Sequence, residues 1–398
     1  MVRRRPATAA LPVTLSSRIP REIVDIIIAS AKHKTTLKRF SLVCHAWAAT
    51  SQRRLFSSTA LTPRLIRHLD GDPHASQRLW PLIQHSSIRR LYEGTHVLLL
   101  KQKKDTLRVL PGMTRLNSLA LLECSPQLVR LLGEIFKADN RISTLRLGQV
   151  HKFPSFTDFQ ECIAMFSGLQ SIALYQVTWG DDNQSTLVRG EVYKTIDVPS
   201  KLKEVEIYEC PGIAHMLSWL VGTRRATTRT LRVPWLRPVE IALLRQFTHL
   251  ENLEINLVNH SIPGPVRGSL DGILSGWGRL KTLKIGYIQC MLDWTDRLVR
   301  GSGMAWYTEV LLSLKTPLPH LHFVLAYENV GELDNFSWRD LNTTLHSWAF
   351  SANLETLEVT FYGTGKPRLS ERVCEEMVRT RLDGLHANTR LNVRSTGH

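Results

Sequence analysis

The sequence predicts an α/β protein in which a short N-terminal helical segment precedes an irregular solenoid of alternating strands and helices. Three observations carry the prediction. An apolar-x-x-apolar-x-apolar pattern recurs along most of the chain, helical patterns fill the intervals between its copies, and a purely helical periodicity occupies residues 19–47.

Residues 1–15 begin Met-Val-Arg-Arg-Arg-Pro and contain no acidic residue. Pro6 and Pro12 interrupt any amphipathic pattern, so a disordered basic tail is expected here rather than a targeting helix. A helix then starts at Pro20, whose missing N–H costs nothing in a first turn, with Glu22 and Asp25 near the positive end of the helix dipole. Ile19, Ile23, Ile26 and Ile27 recur at helical spacing on one face. Thr35 or Thr36 can cap a second helix, in which Leu37, Phe40, Val43, Cys44 and Trp47 recur at steps of three or four. Arg53-Arg54-Leu55-Phe56 closes the segment, residues 16–58. Two or three short helices cannot build an independent core. The segment must pack on the rest of the chain or have its apolar face covered by a partner.

Residues 59–87 read as a transition, with Leu61, Leu65, Ile66 and Leu69 suggesting a linker helix and Asp70-Gly71-Asp72-Pro73 a turn. Over residues 88–398 the new pattern takes over. Clear copies are Leu116-Leu119-Leu121, Ile142-Leu145-Leu147, Leu169-Ile172-Leu174, Leu202-Val205-Ile207, Leu250-Leu253-Ile255, Leu280-Leu283-Ile285 and Leu354-Leu357-Val359. Weaker ones are Ile88 with Leu91, Leu231 with Val233, and Leu318-Leu321-Phe323. The last two apolar positions lie two apart and so share one face of a short strand, while the first sits in the turn that feeds it. The pattern is similar to the core of the leucine-rich repeat, with Cys124 and Cys210 at its Asn/Cys position, where a small side chain meets backbone groups. Helices are predicted over 127–136, 159–166, 213–221 and 239–247.

Strands of such an array line its concave side. Arg146, Ala173, Glu206, Glu254, Lys284 and Glu358, each between two inward apolar residues, are then expected to face solvent. Most tryptophans are expected in the core, with one or two exposed. Two insertions, from Trp179 to about Tyr193 and over 289–317, read as surface loops. An ordinary α/β domain is the competing fold, but the shared internal motif is foreign to it.

Composition narrows the function. A net charge of +16 admits nucleic acid, an anionic membrane surface or an acidic protein as partner. The densest basic stretch, Lys101-Gln102-Lys103-Lys104, is short and has no interleaved aromatics, so nucleic acid is not the expected partner. A solvated basic surface is the plainer reading and an acidic client the intermediate one. Cysteines 44, 124, 162, 210, 290 and 374 contain no C-x-x-C pair, which indicates neither a zinc site nor a disulfide framework and favours a reducing compartment, cytoplasmic or nuclear. No apolar run approaches a membrane span. No G-x-S-x-G, P-loop, G-x-G-x-x-G or H-E-x-x-H occurs. His320 and His322 are too few for zinc, and Cys44 on an apolar helix face predicts an inert buried thiol. No catalytic residue, metal ligand or cofactor is expected, and the chain does not read as an enzyme.

Ile19-Pro20-Arg21-Glu22-Ile23, Leu42-Val43-Cys44-His45-Ala46-Trp47 and Arg54-Leu55-Phe56 carry a further resemblance. Together they resemble an F-box of fungal type, with a hydrophobic-Pro-x-Glu-hydrophobic start, Leu-Val-Cys-x-x-Trp and an Arg-x-Leu-Phe-like end; Ile19 replaces the usual leucine. The resemblance covers about a tenth of the chain. It implies docking on a Skp-type adaptor, and through it a cullin, in a ubiquitin ligase whose repeats present a client protein for degradation. It assigns adaptor binding to Ile19, Pro20, Ile23, Ile27, Leu42, Val43 and Trp47, without separating residues that touch the adaptor from those that pack the segment. The alternative is a non-ligase protein-binding scaffold whose helical segment caps the repeat array. A basic nucleic-acid-binding solenoid is the third reading.

Overall fold

The repeated apolar pattern folds as parallel strands in a computed structural model, which describes residues 19–31, 33–62, 64–65, 68, 71–89, 110–180, 196–222, 227–234, 238–256, 277–289, 311–312, 314, 316–348, 353–363, 369–383 and 385–397. The chain divides into two compact units, Met1–Gly148 and Gln149–His398. The first holds helices α1 (Arg21–Ser30), α2 (Lys34–Phe40) and α3 (His45–Ser57), then β1 (Ser58–Ala60), α4 (Pro73–Leu79), β2 (His85–Arg89), β3 (Ser118–Leu122), α5 (Pro126–Phe136) and β4 (Thr144–Gly148). Its strands pair parallel in chain order, with Ser58 beside His85, His85 beside Ser118 and Ser118 beside Thr144.

The second unit holds α6 (Phe156–Ala164), β5 (Ser171–Tyr175), β6 (Glu204–Tyr208), α7 (Ile213–Gly222), β7 (Thr230–Pro234), α8 (Pro238–Leu244), β8 (Asn252–Asn256) and β9 (Thr282–Gln289). It continues with β10 (His320–Tyr327), α9 (Trp338–Ser347), β11 (Thr356–Gly363), α10 (Glu371–Arg381) and β12 (Arg390–Gly397). β5 to β12 again pair parallel in chain order. The architecture is α/β with parallel sheet, as the alternating periodicities predict.

The register explains why the pattern recurs. The second and fourth residues of each five-residue core point inward, so Leu119 and Leu121 stack beside Leu145 and Leu147, all at most 1% exposed. The leading apolar residues, among them Leu116, Leu169 and Leu250, are equally buried beneath the turns. Serines start the helices: the Ser125 hydroxyl accepts from Leu128 N–H ahead of Pro126, and Ser155 accepts from Asp158 N–H while donating to its carboxylate at 2.7 Å. At the predicted Asp72-Pro73 turn, the Asp72 carboxylate caps α4, accepting from Ala75 N–H at 2.9 Å.

Several expectations are corrected. Strands β1 and β12 were not predicted: Ser58-Thr59-Ala60 has no apolar pair, and Leu391-Asn392-Val393 lacks a leading leucine, Asn388 standing three residues before Leu391. The predicted helix through Leu37 and Trp47 is two helices, broken at Ser41-Leu42-Val43. Neither Thr35 nor Thr36 caps it, because the chain enters α2 from extended His33. Trp179 is core rather than loop: it is fully buried, and Phe153 forms a parallel bridge with it. Of the ten tryptophans, all seven described are buried; Trp235, Trp294 and Trp306 lie outside the described residues. So do the N-terminal tail, Ile66 and Leu69 of the linker helix, Lys101–Lys104, Asp181–Tyr193 and the bulk of the second insertion.

Trp179 centres an aromatic core in the second unit, its ring 4.9 Å from Phe156 and 5.4 Å from Phe159. Gly212 lies flat against it: a Cβ there would stand 2.3 Å from the Trp179 ring, which has no room to yield. Gly212→Ala should therefore cost about 1–3 kcal/mol, the range for overpacking. Gly222→Ala, whose Cβ meets nothing within 4 Å inside a helix, should be neutral or slightly stabilising. Urea unfolding midpoints of the two variants check this.

Candidate functional site

The N-terminal helices form their own small cluster. Val24, Ile28, Leu37 and Trp47 are its buried centre, with Ile19, Ile27, Ala31, Phe40, Val43, Cys44 and Leu55 packed around them. Phe40 and Trp47 meet edge to face at 5.2 Å. Thr50 Oγ1 donates to Asp25 Oδ1 at 3.0 Å, and Arg54 Nη1 donates to the Ile28 carbonyl at 2.8 Å, which ties α3 to α1 and satisfies one of its terminal carbonyls. Pro20 stands one residue ahead of the first turn, as the N-cap, its carbonyl accepting from Ile23 and Val24 N–H.

This packing sorts the sequence-predicted site residues. Trp47 is core. Ile19, Ile27 and Val43 are half-buried against it, and Pro20, Ile23 and Leu42 face outward. The inward stripe of α1 is Val24 and Ile28, not the isoleucine series expected from spacing. Ile23 is 46% exposed, Ile26 64% and Leu42 85%. A helix apolar on both faces is ordinarily covered on both. Full burial of an isoleucine or leucine side chain is worth about 1.5–3 kcal/mol, so the uncovered face has substantial free energy to gain from a partner. Cys44 is only half-buried, at the N-cap of α3, rather than deep on a helix face as expected.

A second feature lies on the open face of the sheet in the second unit. Of the residues predicted to face solvent, Arg146 of the first unit is exposed, and Ala173, Glu206, Glu254, Lys284 and Glu358 are half-buried on this face. The register aligns Glu206, Arg232, Glu254, Lys284, His322 and Glu358 in a rank across β6 to β11. Acid and base alternate from Glu206 to Lys284: Arg232 to Glu206 at 3.2 Å and to Glu254 at 3.3 Å, then Lys284 to Glu254 at 2.8 Å. Glu358 is 3.2 Å from Arg394 of β12 and 3.8 Å from His322 Nε2. One residue ahead of the strands, Glu251 lies between Arg229 and Lys281, and the Lys281 hydrogen bond holds its carboxyl below the usual range. Four members of the rank, Glu206, Glu254, Lys284 and Glu358, are expected on this face singly from the sequence. Their pairing was not legible there, because partners 22 to 36 residues apart are joined only by strand register.

The strand ends carry a signal that was missed. Glu123, Gln149, Gln176 and Glu209 all adopt left-handed backbone, with φ between 49° and 55°, directly after β3, β4, β5 and β6. In the second unit the N–H of Gln149 donates to Tyr175 O, and that of Gln176 to Tyr208 O. Their side chains form a ladder: Gln149 Nε2 donates to Gln176 Oε1 at 3.0 Å, and Gln176 Nε2 donates to Glu209. A non-glycine residue in this region costs on the order of 1–2 kcal/mol, which the repeated hydrogen bonds offset. Glu or Gln two residues after the last inward apolar residue was the available sequence signal.

Cys124 and Cys210 do meet backbone groups as expected, their thiols donating to the Leu122 and Tyr208 carbonyls at 3.2 Å. Burial pushes the Cys124 thiol up to about 12 and the Cys210 thiol to about 11, far from nucleophilic reactivity. Among the described residues, no group of three or more His, Cys, Asp or Glu could hold a metal ion, and no helix is long and apolar enough to cross a membrane. No family model and no curated protein matches the chain.

Burial lowers the pKa of His322 below 6.5; Lys284 and Arg394 act in the same direction, and Glu358 and Glu254 oppose them. The folded protein thus binds fewer protons here than the unfolded chain. Stability from this residue is complete above pH 6.5 and declines as the pH falls below it. In an NMR titration, Lys284→Met should raise the His322 pKa and Glu358→Gln should lower it further.

Proposed function

We propose that the protein is the substrate-recognition subunit of a Skp/cullin/F-box-type ubiquitin ligase, catalysing nothing itself. The observation that carries this reading is the outward apolar set of Ile23 and Ile26 on α1, Pro20 at its N-cap and Leu42 in the turn between α2 and α3, on a segment whose inner faces are already packed. The motif residues divide accordingly: Val43 and Trp47 hold the segment together, while Pro20, Ile23 and Leu42 are free to meet the adaptor. The strand–helix alternation supports a leucine-rich-repeat-like solenoid that binds the client protein. The mechanism is tethering, which raises the effective concentration of a client lysine near the ubiquitin carrier. A rigid join suits that role: α3 runs directly into β1, and the Ser57 carbonyl accepts from Gln84 N–H at 2.9 Å. The proposed setting is cytoplasmic or nuclear.

Ile23→Asp with Leu42→Asp should abolish co-purification with a co-expressed Skp-type adaptor and leave the thermal unfolding midpoint unchanged. Two such hot-spot losses of about 2 kcal/mol each correspond to at least a hundredfold in affinity. Trp47→Ala should instead lower the midpoint. An adaptor complex that survives the double substitution refutes the proposal.

The same join favours a second reading, in which the helices cap the first strand of a non-ligase scaffold. Removing residues 1–57 separates the two. An F-box comes away with the repeats still soluble, whereas loss of a cap exposes the sheet end and causes aggregation.

A further inference from the structure

Among the described residues β12 is the outermost strand of the second unit's sheet and pairs with β11 alone. The N–H of Arg390 donates to Glu355 O at 2.8 Å, which sets the phase of the strand: residues 390, 392, 394 and 396 turn their backbone groups toward β11. Leu391, Val393 and Ser395 therefore direct their N–H and C=O groups away from it, along the free edge. The inward positions tell the same story. Leu357 and Val359 of β11 are at most 1% exposed, whereas Leu391 and Val393 at the matching register positions are only half-buried.

The open face selects what can complete this edge. Within β10 to β12 it carries one acid, Glu358, and two arginines, Arg390 and Arg394, both on the terminal strand and both exposed. The charges across this face, Glu206, Arg232, Glu254 and Lys284, then Glu358 beyond His322, alternate in sign and end on Arg394, while the register partner of Glu358 on β12 is the uncharged Asn392; the outermost charges on this side are thus cationic and leave room for an acid beside them. A second copy of β12 fits poorly. Antiparallel registers centred on Asn392 or Arg394 set arginine opposite arginine, and edge arginines oppose self-pairing generally.

We propose that the free edge of β12 takes up an extended segment of a partner protein in which acidic and apolar residues alternate. Its backbone bonds to Leu391, Val393 and Ser395, its apolar side chains cover Leu391 and Val393, and its acids sit beside Arg390 and Arg394. The inference deepens the client half of the function proposed above and is independent of the adaptor half.

The test uses the full chain and two labelled decapeptides, one alternating Glu with Val and one alternating Lys with Val, read by fluorescence anisotropy. The acidic peptide should bind, more weakly as salt rises, and the lysine peptide should not. Val393→Pro removes an outward N–H that the native sheet does not use and should weaken binding at least tenfold with the thermal midpoint unchanged. Arg390→Glu with Arg394→Glu leaves the backbone intact and should reverse the preference toward the lysine peptide. Equal binding of the two peptides, absence of binding, or indifference to both variants overturns the proposal, as does a dimer in sedimentation that Val393→Pro dissociates. Each variant is also tested for adaptor co-purification. Adaptor co-purification by a wild-type chain that binds no peptide removes the edge site alone, and peptide binding by a wild-type chain that does not co-purify with the adaptor removes the ligase reading alone.

Discussion

From β3 onward each described strand carries at least two inward apolar side chains that it cannot bury by itself, and that constraint governs the rest of the structure. Leu119 and Leu121 are covered on their flanks only because β2 and β4 present Ile88, Leu145 and Leu147 in register. Parallel pairing in chain order follows, since each strand must be returned by a crossover to the same side. The intervening helices, started by Ser125, Ser155 and Ser370, supply that return.

The same register that buries the apolar pairs brings together what lies between them. Residues opposite one another on the open face are tens of positions apart in the chain, yet fall within salt-bridge distance. Arg232 sits between two glutamates, and Lys284 beside one of them. Exposed pairs of this kind contribute about 0–1 kcal/mol each. Their consequence is more in pattern than in stability. Net charge is balanced along the rank, so the chain's basic excess does not by itself turn this face into an anion-binding surface.

Strand ends and helix faces are where the burial constraint is left unmet. In the first unit, α1 satisfies its inner face with Val24 and Ile28 while Ile23 and Ile26 stay in water. In the second, β12 meets the requirement on one flank only. Both are places where a partner gains by completing what the chain leaves open, one through apolar side chains, the other through backbone and charge.

The sequence by itself determined the α/β class, ten of the twelve described strands, the Pro126 helix start and the burial of Cys124 and Cys210, because each is written in local periodicity or capping chemistry. It also marked residues 19–47 as helical and short of core. Tertiary structure alone decided which isoleucines of α1 face outward, since Ile23, Val24, Ile26, Ile27 and Ile28 are alike in hydropathy and only packing against Leu37 and Trp47 separates them. It decided that Ser58–Ala60 and Arg390–Gly397 are strands, because neighbours supplied the pairing that their own composition does not announce. And it joined Arg232 to Glu206 and Glu254, because ion pairs across strands depend on register, which no single repeat contains.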